Sequence, residues 1–194
     1  NAIPEYCFNC YKVVIKPRTV IELLKLMMVF EKLELPDDNT RKCLVECREQ
    51  VEGTYTGLVY CLGIEEGKTL MKLFQSVISR EITANLPVTL KRGCSEYALA
   101  YPDYAQIEHG MKYNDDWRKY EALVDRELEA DTQRVLNDTF NRPTFTLNDA
   151  KIMLAWLRYA AAIGDLSYLK ISGDILPPLQ GLKRPSPFIP VNDE

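Results

Sequence analysis

Between residues 6 and 97 the chain alternates six segments whose order limits the folds open to it: strand, helix, strand, strand, helix, strand. Residues 6–16 (YCFNCYKVVIK) are rich in Tyr, Phe and Val and stop at Pro17, the pattern of a strand. Thr19 with Glu22 three residues on reads as a capping box, and the apolar residues from Val20 to Phe30 cover more than one stripe. That pattern predicts a helix buried on most sides. Residues 41–50 and 54–62 flank the turn signal Glu52-Gly53 and read as a hairpin. Residues 64–82 set Leu70, Leu73, Phe74, Val77 and Ile78 on one side of an amphipathic helix, and 87–97 reads as a fourth strand. This order predicts an α+β domain of ferredoxin-like split βαβ (βαββαβ) form. Segments 41–50 and 87–97 become the outer strands of an antiparallel sheet, with both helices on one face.

The character changes after Tyr97. A charged helix is expected over 115–136, its apolar positions sparse at Trp117, Tyr120, Val124, Leu128 and Val135. A final helix starts at Thr146, with Asp149 at its third position, and stops at Gly164. The last residues hold five of the eleven prolines: Pro177, Pro178, Pro185, Pro187 and Pro190. The expected organisation is a ferredoxin-like domain over 1–104, a helical extension over 105–175 and an extended Pro-rich tail over 176–194. The charged helix and the tail are the candidate surfaces for a protein partner.

With 46% hydrophobic residues, 194 residues suffice for a packed core. The net charge of −4 argues against a general polyanion binder, since phosphate-backbone affinity comes from clustered Lys and Arg. The longest apolar run, Leu23–Phe30, is interrupted by Lys25 and far shorter than the roughly 20 residues that cross a bilayer. The chain opens on Asn1 rather than Met, which leaves room for a removed upstream segment. Asn137-Asp138-Thr139 fits a glycosylation sequon, but in a helical context. Cysteines in regular segments fit a reducing cytoplasm better than a loop-rich disulfide framework.

All six cysteines lie within the first 94 residues: Cys7, Cys10, Cys43, Cys47, Cys61 and Cys94. Cys7 and Cys10 have the two-residue gap common to zinc and iron–sulfur ligation. No second such pair exists, so a site would be completed from Cys43, Cys47, Cys61 or Cys94. The leading expectation is a binding or accessory module whose cysteine-bearing sheet holds zinc or an iron–sulfur centre. Thiols packed in a core are the plain alternative. Thioredoxin-like chemistry at Cys7-Cys10 is disfavoured, because strand residues rather than a helix follow the motif.

A second expectation is an enzyme acting on a small anionic substrate. Lys91 and Arg92 would bind charge, Cys94 would serve as nucleophile or ligand, and Glu46 or Glu96 as acid or base. The competing reading is a polar outer strand whose cations discourage edge pairing. Gly63–Thr69 (GIEEGKT) resembles a phosphate loop, yet it has three residues between its glycines where the motif needs four, and two glutamates would face the phosphate. His109, the single histidine, removes multi-histidine metal sites. A third expectation is RNA binding by sheet aromatics Tyr6, Phe8, Tyr11, Tyr55 and Tyr60, against which stand the missing basic–aromatic signature and the net charge.

Overall fold

The computed structural model describes residues 2–48, 51–108, 110–129 and 145–177. Its centre is a four-stranded sheet formed by β1 (Cys10–Ile15), β2 (Arg41–Val45), β3 (Tyr55–Leu62) and β4 (Val88–Arg92). The strand order is β2-β3-β1-β4 with every neighbouring pair antiparallel, so the chain is of the α+β class. The two outer strands are those expected from the sequence. Among the described residues no helix is long and apolar enough to cross a membrane.

Period two in β1 divides the molecule. Tyr11, Val13 and Ile15 point into a core shared with Val59 and Cys61 of β3. Against this face lie α1 (Val20–Lys32), through Leu26 and Phe30, and α2 (Ile64–Glu81), through Leu70, Phe74 and Ile78. The expected arrangement of both helices on one face is therefore present, although Leu73 is turned partly to solvent. Gly57 is what lets α1 settle onto β3: a Cβ there would stand 2.3 Å from Leu26 Cδ2. Lys12 and Val14 take the opposite, open face.

The several apolar stripes of α1 serve two cores. Its first turn contributes Val20, Leu23 and Leu24 to a second cluster with Tyr55, Leu157, Ala160 and Tyr168. Leu157 and Ala160 come from α5 (Leu147–Ile163), which has the capping box expected at Thr146 and Asp149 and the left-handed Gly164 at its end. Asp165 then reaches back to the start of α1. Its Oδ2 accepts from Val20 N at 2.7 Å and from the Tyr55 hydroxyl at 2.8 Å, in an environment that leaves the residue 4% exposed. Thr19 also caps α1 by accepting from Glu22 N, while the Glu22 carboxylate accepts from Arg18 N rather than closing the expected box.

Three expected elements differ in extent. The first strand does not begin at residue 6: Glu5–Asn9 is a 3-10 turn, opened by a Cys7 N–H donated to Pro4 O. That turn carries Phe8 into a third cluster with Ile3, Tyr104 and Trp117. The fourth strand stops at Arg92 rather than 97, because Gly93 takes φ +56° and Cys94 caps a short helix, α3 (Ser95–Ala100). The charged helix starts as a 3-10 turn over Asp115–Trp117 and continues as α4 (Arg118–Glu129). Its expected remainder, the sequon at Asn137, His109 and the tail beyond residue 177 lie outside the described residues.

Asp165→Ala strands the buried Tyr55 hydroxyl and the Val20 N–H together, at about 1–3 kcal/mol for each buried group left unpaired. Urea unfolding should show a loss of about 3 kcal/mol, with Asp165→Asn losing less. A loss below about 0.5 kcal/mol for the alanine variant would show that α1 does not depend on this cap.

Candidate active site

The open face of the sheet gathers the chemistry. Because β1 and β4 pair antiparallel with Lys12 opposite Lys91, the two ammonium-bearing side chains leave the sheet on the same side. Tyr60 stands opposite Lys12 on β3, and its ring has Lys12 Nζ at 5.0 Å and Lys42 Nζ at 5.1 Å from its centroid. Gly93 turns the chain so that Cys94 folds over this face, where Lys12 Nζ meets Cys94 Sγ at 3.2 Å. Lys91 donates to Ser95 Oγ beside it.

Lys12 is the unusual member. The residue is only 7% exposed; among the described residues its ammonium donates to the Cys94 sulfur and lies over the Tyr60 ring, with the Glu96 carboxylate near enough to feel its charge. Burying an ammonium without a compensating anion is costly, so a thiolate or a bound anion is the natural complement. Burial pulls the Lys12 pKa down, but the hydrogen bond and charge of Cys94 outweigh it, and the value lies above the ordinary lysine range. Lys91 moves the other way: burial, then the charge of Lys12, pull it below its usual value. One cation is thus held charged while its neighbour is eased toward losing a proton.

The loop after β2 closes the lower part of this face. Arg48 binds Glu46 through Nε and Nη2, both at 2.8 Å, and its Nη1 reaches Glu96 at the start of α3. Since β2 and β4 are the two outer strands, this contact requires the loop to cross the open face. Lys16 holds the returning chain by donating to Glu52 O at 2.7 Å and Thr56 Oγ1 at 3.0 Å. The hydrogen bonds of Arg48 outweigh burial and keep the Glu46 carboxyl below its usual pKa. Glu96 is also held low, by its own backbone N–H and by Arg48. Both carboxylates stay ionised and serve to fasten the loop.

Arg92, adjacent to Lys91 in sequence, points to the other face. Its guanidinium donates to Phe8 O, Gln106 O and Met111 O, and lies 5.4 Å from the Phe8 ring centroid and 5.6 Å from that of Tyr104. It clamps the aromatic cluster. Lys91, Cys94 and Glu96 are therefore brought together, Glu46 joins them through Arg48, and Arg92 does not. Lys12 and Arg48 were not singled out by sequence. The legible trace of Lys12 was the alternation in Tyr11-Lys12-Val13-Val14-Ile15-Lys16, which sets its lysines opposite an apolar face.

The six thiols are distributed rather than gathered. Cys61 and Cys43 face the helices, where burial pushes Cys61 up to about 11 and raises Cys43 further. Cys47 is exposed beyond β2, near Tyr159. Cys7, Cys10 and Cys94 are neighbours at the upper end of the open face, and burial together with the charge of Cys94 raises the first two. Among the described residues no group of three or more Cys, His, Asp or Glu side chains is disposed to hold a metal ion. Among the described residues the thiols do not come together as the four-ligand set that zinc or an iron–sulfur centre would take. In the segment that resembles a phosphate loop, the Glu66 carboxylate accepts from Leu62 N and from Asn39 Nδ2 and so ties the start of α2 to the end of β3. Of the expected sheet aromatics, Tyr11 and Tyr55 are buried against the helices, Phe8 lies in the aromatic cluster and Tyr6 is exposed on the 3-10 turn before β1, leaving Tyr60 on the open face.

Arg92→Met leaves buried carbonyls unpaired and should destabilise the protein by about 3 kcal/mol, while Cys94 in the folded variant alkylates at the wild-type rate. A change in that rate without a stability loss would return Arg92 to the site. Glu46, depressed in the folded state, stabilises the protein above its unfolded pKa of about 4.3, and this contribution disappears as pH falls through the folded value. Stability measured against pH should accordingly fall less steeply below about pH 4.5 in Glu46→Gln than in the wild type.

No protein-family model, no curated protein and no solved structure matches this chain, so its function has to come from the chemistry of this site.

Proposed function

We propose that the open face of the sheet is the active site of an enzyme that uses Cys94 as a nucleophile on a small anionic substrate. The observation that carries this reading is the buried ammonium of Lys12 at 3.2 Å from Cys94 Sγ, its hydrogen-bond partner among the described residues. An ammonium so placed favours negative charge on the sulfur, and thiolate is the reactive form. Lys91 and Ser95 supply a second cation and a hydroxyl at the same end of the sheet, suited to an anionic group. Lys91, its pKa lowered, also suits the transfer of a proton to a leaving group. Arg48, tied to Glu46 and Glu96, frames the site from the crossing loop. The net charge of −4 does not oppose this, since Lys12, Lys16, Lys42, Lys91 and Arg48 share one face.

A second reading, contact with a protein partner, is favoured by α4. Tyr120, Leu123 and Val124 form an exposed stripe on an otherwise charged helix.

Selective alkylation tests the first reading. Cys94 should react with iodoacetate ahead of exposed Cys47, and anionic iodoacetate should gain on neutral iodoacetamide there relative to Cys47. Lys12→Met should slow Cys94 alkylation about tenfold, since the neighbouring ammonium that favours the reactive thiolate is lost. Lys91→Gln should remove most of the iodoacetate preference. Equal rates at Cys94 and Cys47, unaffected by Lys12→Met, would reject the site.

A further inference from the structure

We propose that Cys94 and Cys10 form a dithiol pair that reduces hydroperoxides, Cys94 attacking the peroxide and Cys10 resolving the product as a disulfide. This rests on the reading of Cys94 as the nucleophile; it puts a neutral hydroperoxide in place of the anionic substrate, the departing alkoxide being the anion that Lys91 meets, and adds a second catalytic thiol.

The placement comes from the sheet. Gly93 N donates to Cys10 O at 2.8 Å, which sets Cys10 level with Gly93, one residue before Cys94. Cys10 and Lys12 are two apart in β1 and so leave the strand on the same face. Lys12 Nζ touches Cys94 Sγ, which brings that sulfur onto the face of Cys10. Directly opposed residues of an antiparallel pair have Cα atoms about 4.5–5.5 Å apart, and a disulfide spans about 4.4–6.8 Å, so the one-residue offset remains within reach of a bridge. Gly93 lies at the turn between the two elements and supplies the backbone freedom that bridge needs.

The other thiols are placed less well. Cys61 and Cys43 lie on the helix face. Cys47 is exposed beyond β2, with its side chain beside Tyr159. Cys7 packs into the aromatic cluster, with its carbonyl held by the Tyr104 hydroxyl at 2.9 Å. Cys10, half-buried at the start of its strand, is the more accessible of the two thiols beside Cys94.

The chemistry balances without a cofactor. The Cys94 thiolate attacks the outer oxygen of the hydroperoxide, the O–O bond breaks, and the departing alkoxide takes a proton, for which Lys91 is the nearby donor. Cys94 is left as a sulfenic acid. The Cys10 sulfur then attacks the Cys94 sulfur, the S–O bond breaks, and hydroxide leaves as water with the Cys10 proton. Two thiols and one hydroperoxide thus give one disulfide, one alcohol and one water, two electrons passing from sulfur to oxygen. An external thiol reductant restores the dithiol.

The test is to add a half-equivalent of hydrogen peroxide to the reduced full chain, block remaining thiols with iodoacetamide and map the cysteines by mass spectrometry. The expected result is a Cys10–Cys94 disulfide, with two thiols lost per peroxide. In Cys10→Ser and Cys10→Ala, checked for folding by circular dichroism, dimedone should trap a sulfenic acid on Cys94. Cys7→Ser should still form the disulfide. Sulfinic acid on wild-type Cys94 without a disulfide, or a bridge to Cys7 instead, overturns the role of Cys10 while leaving Cys94 as the nucleophile. Peroxide oxidation of Cys94 no faster than that of Cys47 overturns both.

Discussion

The alternation of side chains along β1 is the constraint from which the rest of the structure follows. Tyr11, Val13 and Ile15 commit one face of the sheet to both helices, so Lys12 and Val14 must take the other. A one-residue slip in this central strand would bury the lysine under α1 and α2 and expose the core. The pairings with β3 and β4 then carry the division outward. Val59 and Cys61 join the apolar side, while Tyr60 and Lys91 join the polar one. A hydrophobic requirement on one face thereby assembles a charged site on the other.

That charged face is still partly closed off from water, which gives it chemical value. Lys12 is buried although it sits on the open side, because Cys94 folds over it and Tyr60 flanks it. At a lower effective dielectric an ammonium acts more strongly on a neighbouring sulfur than it would in bulk water. The loop held by Arg48 shields the lower half and ties β2 to the start of α3. Glu46 and Glu96 contribute as fixed negative charges that position Arg48. The two cations nearest Cys94 differ in environment: Lys12 has a sulfur partner, while Lys91 is opposed by Lys12. This difference lets adjacent lysines take different roles.

The helical extension and the aromatic cluster support the sheet from its two ends. Asp165, far along the chain, caps α1 and fixes Tyr55 of β3, so the C-terminal helix and the sheet share one buried hydrogen-bond centre. At the other end Arg92 gathers three backbone carbonyls beneath Phe8 and Tyr104. Gly93 is confined between these demands, since a Cβ there would stand 1.8 Å from the Tyr104 hydroxyl. The turn that presents Cys94 is therefore set by the packing of an aromatic ring behind it.

Much of this fold could be read from local signals. The order of strands and helices, the Thr146–Asp149 box, the Gly164 stop and the choice of outer strands all follow from periodicity, caps and turn residues, which act within a few residues. The turn at Glu5–Asn9 and the early end of β4 could not be read this way, because distant partners Tyr104 and Trp117 draw Phe8 and Gly93 out of strand geometry. The sequence also marked Lys91, Cys94 and Glu96 as one chemical stretch, by adjacency alone. It could not separate Arg92 from Lys91, since adjacent strand residues take opposite faces and only the register says which face is buried. Nor could it join Lys12 to Cys94 or divide the cysteines between the two faces. Those pairings join residues as far as 82 positions apart, as Lys12 and Cys94 are, and three-dimensional packing alone decides them.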